Sequence, residues 1–195
     1  MALAKEAAAL GFDEIQFDYV RFPDNGRKVD AEVRYRNPEG TSKAELIGRF
    51  LADARRELHA AGAAVSADVF GLTTTAKDDM GIGQQWERVA ANVDFISPMV
   101  YPSHYAKGSY GVKHPDLNPR IIVAEAIRDA LGRNRAMDRP AAIRPWLQCF
   151  TARWVKPHKT YGKTELEAQI GAVRSLGVEG YLLWDPTCRY KPLAA

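Results

Sequence analysis

The sequence predicts an α/β fold of the (β/α)8-barrel type, and three observations carry that reading. Helical and strand hydrophobic periods alternate with a repeat of about 35 residues, the rhythm of βα units whose parallel strands are joined by right-handed crossovers. The stretches that follow the strands are rich in polar and aromatic residues, as at the carboxyl-terminal face of a barrel, where the chemistry is placed. No glycine-rich phosphate loop of the GxGxxG or GxxxxGK[ST] kind follows a strand, which removes the commonest reason to choose an open nucleotide-binding sheet. A closed barrel takes about 250 residues and eight strands. These 195 residues show five strand patterns. The expectation is therefore a single domain over 1–195, incomplete at its N-terminus, that supplies only the C-terminal five βα units (strands four to eight).

The chain opens on an amphipathic helical run, Ala2 to Leu10, stopped by Gly11. In the stretch Gly11 to Pro23, Ile15, Phe17 and Tyr19 make one apolar strand face, and Gln16 and Asp18 fall on the other. Asp24 to Ser42 reads as a long polar loop, functional or inserted, with turn signals at Asn25-Gly26 and Asn37-Pro38. Thr41 or Ser42 can cap a helix over Lys43 to Ala61, whose Leu46, Ile47, Phe50, Leu51, Ala54 and Leu58 keep helical spacing. Ala64 to Phe70 repeats the opening strand, with Val65, Ala67 and Val69 on one side and Ser66 and Asp68 on the other.

A short helix around Gln84 to Asn92 leads into a third strand, Val93 to Tyr101, despite its Pro98, because the βα rhythm requires a strand there. Asn118-Pro119 opens a helix to about Asn134. A fourth strand over Ala142 to Phe150 places Arg144, Trp146, Gln148 and Phe150 on one face. The spacing Thr164 to Glu167 predicts a capping box for the last helix, which Gly177 stops. Val178 to Trp184 is the final strand, closed by Asp185-Pro186.

Composition bounds the function classes. At 46% hydrophobic and 26% charged the chain can bury one sizeable core, which excludes a disordered protein. Lys and Arg number 27 against 24 Asp and Glu, and the net +3 is scattered, so no nucleic-acid footprint stands out. No stretch reaches the ~18 consecutive apolar residues of a membrane span. Lys5 and Glu6 sit where a signal peptide would keep its apolar centre. Cys149 and Cys188 lie far apart with no metal-like neighbours and read as buried or incidental thiols. Asp78 and Asp79 could hold a cation, but paired loop aspartates are ordinarily solvated, so neither a metal nor another cofactor is expected.

Both faces of a barrel strand are buried, so polar residues on a strand must point inward and upward to work. Asp18 and Asp68 then stand at the tops of neighbouring strands, about 4.8 Å apart, and their carboxyls can approach the roughly 5–9.5 Å range used by glycosidases. The competing structural readings are an Asp18–Arg21 salt bridge and an Asp68 cap on the Gly71 loop. Pyranose rings present apolar faces to aromatic side chains and hydroxyls to polar ones. Tyr101, Tyr105, Trp146, Trp154 and Trp184 all fall at strand ends or in the loops after them, beside His104, Gln148 and Asp185. The candidate site is therefore Asp18 and Asp68 as the catalytic pair, with Arg21, Tyr101, His104, Tyr105, Trp146, Gln148, Trp184 and Asp185 binding substrate.

The segments GFDEIQFDYVRFP, SADVFG, DFISPMVYPSHY and GYLLWDP resemble, in order and spacing, a bacterial "putative glycosyl hydrolase" domain family of the domain-of-unknown-function type. The resemblance runs from Gly11 to Pro186 and implies a (β/α)8 (TIM) barrel, a carbohydrate substrate and an extracytoplasmic or cell-envelope setting. More distantly the chain is similar to chitinase-type family 18 glycoside hydrolases. Asp13 and Asp18 match two aspartates of that family's DGxDxDxE strand, Met99 and Tyr101 match its MxY, and Trp184 matches its eighth-strand tryptophan. Gln16 replaces the middle aspartate and Val20 the proton-donating glutamate, so chitinase chemistry is not implied.

The expected activity is hydrolysis of a polysaccharide or cell-envelope glycan, with Asp68 as general acid and Asp18 as nucleophile or stabilising base. Arg21 would hold Asp18 charged, Tyr101 and Gln148 would bind hydroxyls, and Trp184 would floor the site. The alternatives are a non-catalytic carbohydrate-binding barrel and a barrel fragment inactive alone, whose exposed strand edges would associate with another chain.

Overall fold

The computed structural model describes residues 1–190. Its strands are β1 (Glu14–Phe17), β2 (Ala64–Phe70), β3 (Phe95–Met99), β4 (Ala142–Ile143), β5 (Trp146–Gln148) and β6 (Leu182–Trp184). Its helices are α1 (Ala2–Ala9), α2 (Gly26–Glu32), α3 (Lys43–Ala60), α4 (Trp86–Ala90), α5 (Pro119–Asn134) and α6 (Lys163–Arg174). All strand pairs are parallel, in the order β1-β2-β3-β5-β6, with β4 also on β3. Among the described residues no helix is long and apolar enough to cross a membrane.

Strand alternation sorts the side chains as the sequence requires. Val65, Ala67, Val69 and Ile96 are fully buried on the helix-covered face, in one core with Leu51, Leu58, Trp86, Ile122 and Ile127. Phe17 packs edge-on against Phe50 of α3 on the same side. The other face carries polar residues that reach past intervening strands. Gln16 of β1 donates to Ser97 of β3 at 3.2 Å, and Arg144, just after β4, pairs with Glu14 of β1. Contacts of this kind need a sheet that curls, and the result is an α/β half-barrel with its polar face inward.

Several local expectations change. β1 stops at Phe17, and Tyr19 leaves the apolar face with φ 52° and 72% exposure. The polar segment before α3 contains the helix α2, entered from Asn25 in the left-handed region (φ 69°). The predicted fourth strand is two pieces, because Pro145 has no N–H to offer and interrupts the ladder between β4 and β5. Pro98 stays inside β3, which meets β5 through the single pair Met99↔Trp146. Ser42 caps α3, its Oγ accepting from the Glu45 amide at 3.2 Å. The last helix begins at Lys163, not after a Thr164 cap, with Glu165 accepting from the Gly162 amide at 3.1 Å. The final strand is confined to Leu182–Trp184.

At the amino-terminal end of the strands, the Asp94 carboxylate accepts from the Val65 amide at 2.8 Å and from Arg55 at 3.1 Å, with His59 Nε2 at 2.8 Å. Burial opposes its ionisation, but the hydrogen bonds and nearby cations outweigh it and hold its pKa below the ordinary value. Asp94→Ala is expected to cost about 1–3 kcal/mol at neutral pH. Because the folded pKa is depressed, Asp94 stabilises above the unfolded pKa, and that contribution is lost as pH falls through the lower folded value. Urea denaturation of both proteins at pH 7 and pH 3 should show the gap closing in acid.

Candidate active site

β1 and β2 run in the register Gln16↔Ser66 and Phe17↔Ala67. One further step sets Asp18 beside Asp68 at the carboxyl ends of neighbouring strands. Asp68 remains within β2, whereas Asp18 lies just past β1, where Tyr19 turns the chain away. A bulky residue at positive φ costs about 1 kcal/mol or more and marks a constrained turn. The Asp18 Oδ1 accepts the Tyr19 amide at 2.7 Å within that turn.

Both carboxylates line a cavity of about 540 Å3 at the carboxyl-terminal end of the sheet. Of the predicted site residues, Arg21, Tyr101, His104, Tyr105, Trp146 and Trp184 line it too. Asp68 is 4% exposed, and its Oδ1 accepts the Trp146 indole N–H at 2.8 Å. Burial raises its pKa to about 7, the charge of Asp18 adds to the rise, and the Trp146 bond opposes it. Trp184, 40% exposed, meets Trp146 edge-on at 6.0 Å. Burial raises the pKa of the Tyr101 phenol and lowers that of the His104 imidazole at the cavity mouth. The Tyr105 hydroxyl is buried and has no hydrogen-bond partner among the described residues.

The structure does not gather every predicted residue. Arg21 forms no ion pair with Asp18 among the described residues. Its guanidinium lies 4.9 Å from the Phe70 ring centroid, it donates to the Phe22 carbonyl, and its acidic neighbour is Asp24 at 3.8 Å. Gln148 lies outside the cavity, fully buried, with its amide consumed by the chain. Its Oε1 accepts from the Ser103 amide, and its Nε2 donates to Asp116 and to the Phe150 carbonyl. Asp185 is likewise used internally, accepting from the Thr187 amide and hydroxyl at 2.8 Å. Asp78 and Asp79 each accept a loop amide, of Met80 and Gly81 respectively. Among the described residues no group of three or more His, Cys, Asp or Glu side chains could hold a metal ion.

The role of Gln84 and the close packing at Gly71 were not evident from the sequence. Buried Gln84 donates to the Asp68 carbonyl at 3.1 Å and the Val20 carbonyl at 3.4 Å, and accepts from the Phe70 amide at 2.9 Å. It thereby ties the segment after Asp18 to the strand end that carries Asp68. Nothing local to Gln84 signals this; only the glycines at 81 and 83 mark a turn there. A Cβ on Gly71 would sit 2.5 Å from the Met99 carbonyl oxygen and 2.8 Å from the Tyr105 hydroxyl. Gly71→Ala is therefore expected to cost about 1–3 kcal/mol, read as a lowered denaturation midpoint.

Solved structures place this arrangement among known folds. The chain is similar to the glycoside hydrolase domain of PgaB (BpsB) from Bordetella bronchiseptica, with 17% identity and a TM-score of 0.58 over 93% of this chain and 54% of that one. It is similar to the spore cortex-lytic enzyme SleL of Bacillus cereus, with 14% identity and a TM-score of 0.63 over 97% of this chain and 49% of that one. A chitinase from Chromobacterium violaceum gives 15% identity and a TM-score of 0.57 over 93% and 64%. At these identities the likeness is one of fold, and the chain spans about half to two thirds of these neighbours' length. No curated protein sequence matches the chain. A family model matches residues 1–190, and the chain belongs to that family, described as "Putative glycosyl hydrolase domain".

Proposed function

We propose that this half-barrel carries the active site of a glycoside hydrolase acting on a polysaccharide or cell-envelope glycan. Asp68 is the general acid and Asp18 the second carboxylate, acting as nucleophile or stabilising base. The observation that supports this most is the buried Asp68, whose pKa of about 7 lets it keep a proton near neutrality within the cavity it shares with Asp18. A glycosidase needs one carboxyl that stays protonated while its partner carries charge. In this reading Asp68 protonates the leaving oxygen as the glycosidic C–O bond breaks, and water completes the hydrolysis with or without a covalent intermediate on Asp18. Trp184 stacks on a sugar face, while Tyr101 and His104 meet sugar hydroxyls and Tyr105 packs the cavity wall behind them. Arg21 bounds the cavity beside Phe70, and Gln148 and Asp185 hold the surrounding loops.

Two structural neighbours are complexes, a chitinase domain of Ostrinia furnacalis with a chitin-type oligosaccharide and bee venom hyaluronidase with a hyaluronic acid tetramer. Soluble oligomers of both kinds, with cell-wall glycan fragments, form the test panel. Reducing ends released by the intact protein and by Asp18→Asn and Asp68→Asn variants are measured, together with binding. Turnover lost in both variants with binding retained supports the enzyme. Binding without turnover in the parent protein leaves a carbohydrate-binding barrel. Neither binding nor turnover on any panel glycan sinks both readings.

A further inference from the structure

Beside the first cavity lies a second, of about 560 Å3, walled in part by Phe150, Trp154, Tyr161 and Arg189. Trp154 is 67% exposed. A large apolar ring left in water is unfavourable, by about 25 cal/mol for each Å2 that a partner could cover. The ring is nevertheless held in place. It stacks on Phe150 at 6.1 Å with an interplanar angle of 19°, and His104 packs edge-on against Phe150 at 6.3 Å and against Trp154 at 6.4 Å. His104 also lines the first cavity and packs against Tyr101. The two cavities are thus neighbours across one aromatic wall, His104 and Tyr101 on the Asp18–Asp68 side and Phe150 and Trp154 on the other.

Much of the polar lining of the second cavity is engaged within the chain. Asp185 accepts from Thr187, the Tyr161 hydroxyl donates to the Asp116 carbonyl, and Thr151 Oγ1 accepts the Tyr161 amide. What this wall offers a ligand is chiefly the exposed indole, a surface that suits the apolar face of a pyranose whose hydroxyls point to solvent.

We propose that this cavity is a second sugar subsite, in which a further pyranose of the same glycan stacks on Trp154. This rests on the glycoside-hydrolase reading of the first cavity and narrows it: the substrate is an oligosaccharide or polysaccharide long enough to cross the aromatic wall, not a single terminal sugar. The test reads binding rather than turnover, so its failure is separable from failure of the catalytic assignment. Two-unit and six-unit members of the chitin and hyaluronan series are titrated calorimetrically against the protein carrying Asp68→Asn, with and without Trp154→Ala.

The six-unit oligomer is expected to bind at least about tenfold more tightly than the two-unit one, a preference that Trp154→Ala abolishes and Trp154→Phe largely keeps. Equal weakening of both lengths by Trp154→Ala, or no length preference before substitution, overturns the proposal. So does a dimer in sedimentation equilibrium that Trp154→Ala dissociates, since a second copy would then be what covers the indole.

Discussion

Asp68→Asn is expected to lower kcat on a hydrolysed glycan by about 10²–10⁴-fold, the range general acid catalysis supplies, while glycan affinity changes little. The same substitution should alter how stability depends on pH. The folded pKa of Asp68, about 7, lies above the 3.8 of an ordinary aspartate, so the fold disfavours the ionised form. Stability is then full below the ordinary value, declines as pH rises from about 4 to about 7, and is level above that. Roughly three pKa units correspond to about 4 kcal/mol. An asparagine has no charge to desolvate and still offers an oxygen to the Trp146 N–H. The variant should therefore show a flatter dependence and exceed the parent in stability above pH 7. Urea denaturation across pH 4–8 measures this, and a parent protein with no loss of stability over that window would refute the burial account of Asp68.

Trp146→Phe tests the other half of the same balance. The indole N–H bonded to Asp68 Oδ1 at 2.8 Å favours the carboxylate, against burial and the charge of Asp18. Phenylalanine keeps an aromatic ring beside Trp184 but removes the donor, so the Asp68 pKa should climb further. A hydrogen bond to a charged group is worth about 1.5–3 kcal/mol, and each pKa unit is 1.36 kcal/mol. The alkaline limb of kcat/KM should therefore move up by about one to two units, because Asp68 keeps its proton to higher pH. An alkaline limb that stays fixed or moves down would separate Trp146 from the acid.

The helices and strands that position the site were legible because their signals are local. The alternation in β2 set Val65, Ala67 and Val69 outward and Ser66 and Asp68 inward, and that is the arrangement observed. Asn118-Pro119 marked the start of α5, and Thr41 or Ser42 the cap of α3, which Ser42 supplies, for the same reason. The misplacements came where a local pattern met a distant partner. Gln148 shares its strand face with Trp146, yet the loop amide of Ser103 and the carboxylate of Asp116 consume it. Arg21 stands three residues after Asp18, but the ring of Phe70 on the neighbouring strand draws its guanidinium away. Tyr19 continues the apolar alternation on paper, but in the structure it turns into the left-handed region and ends the face.

By itself the sequence determined the order of helices and strands, their parallel βα connection and the face on which Asp18, Asp68, Trp146 and Trp184 would meet, because periodicity and turn chemistry act over a few residues. The acid role was assigned to Asp68 by position alone, and only the tertiary structure decided that Asp68 is the aspartate buried deeply enough to hold a proton near neutrality. That choice depends on desolvation and on an indole 78 residues further along the chain, and no local pattern encodes a contact at that distance.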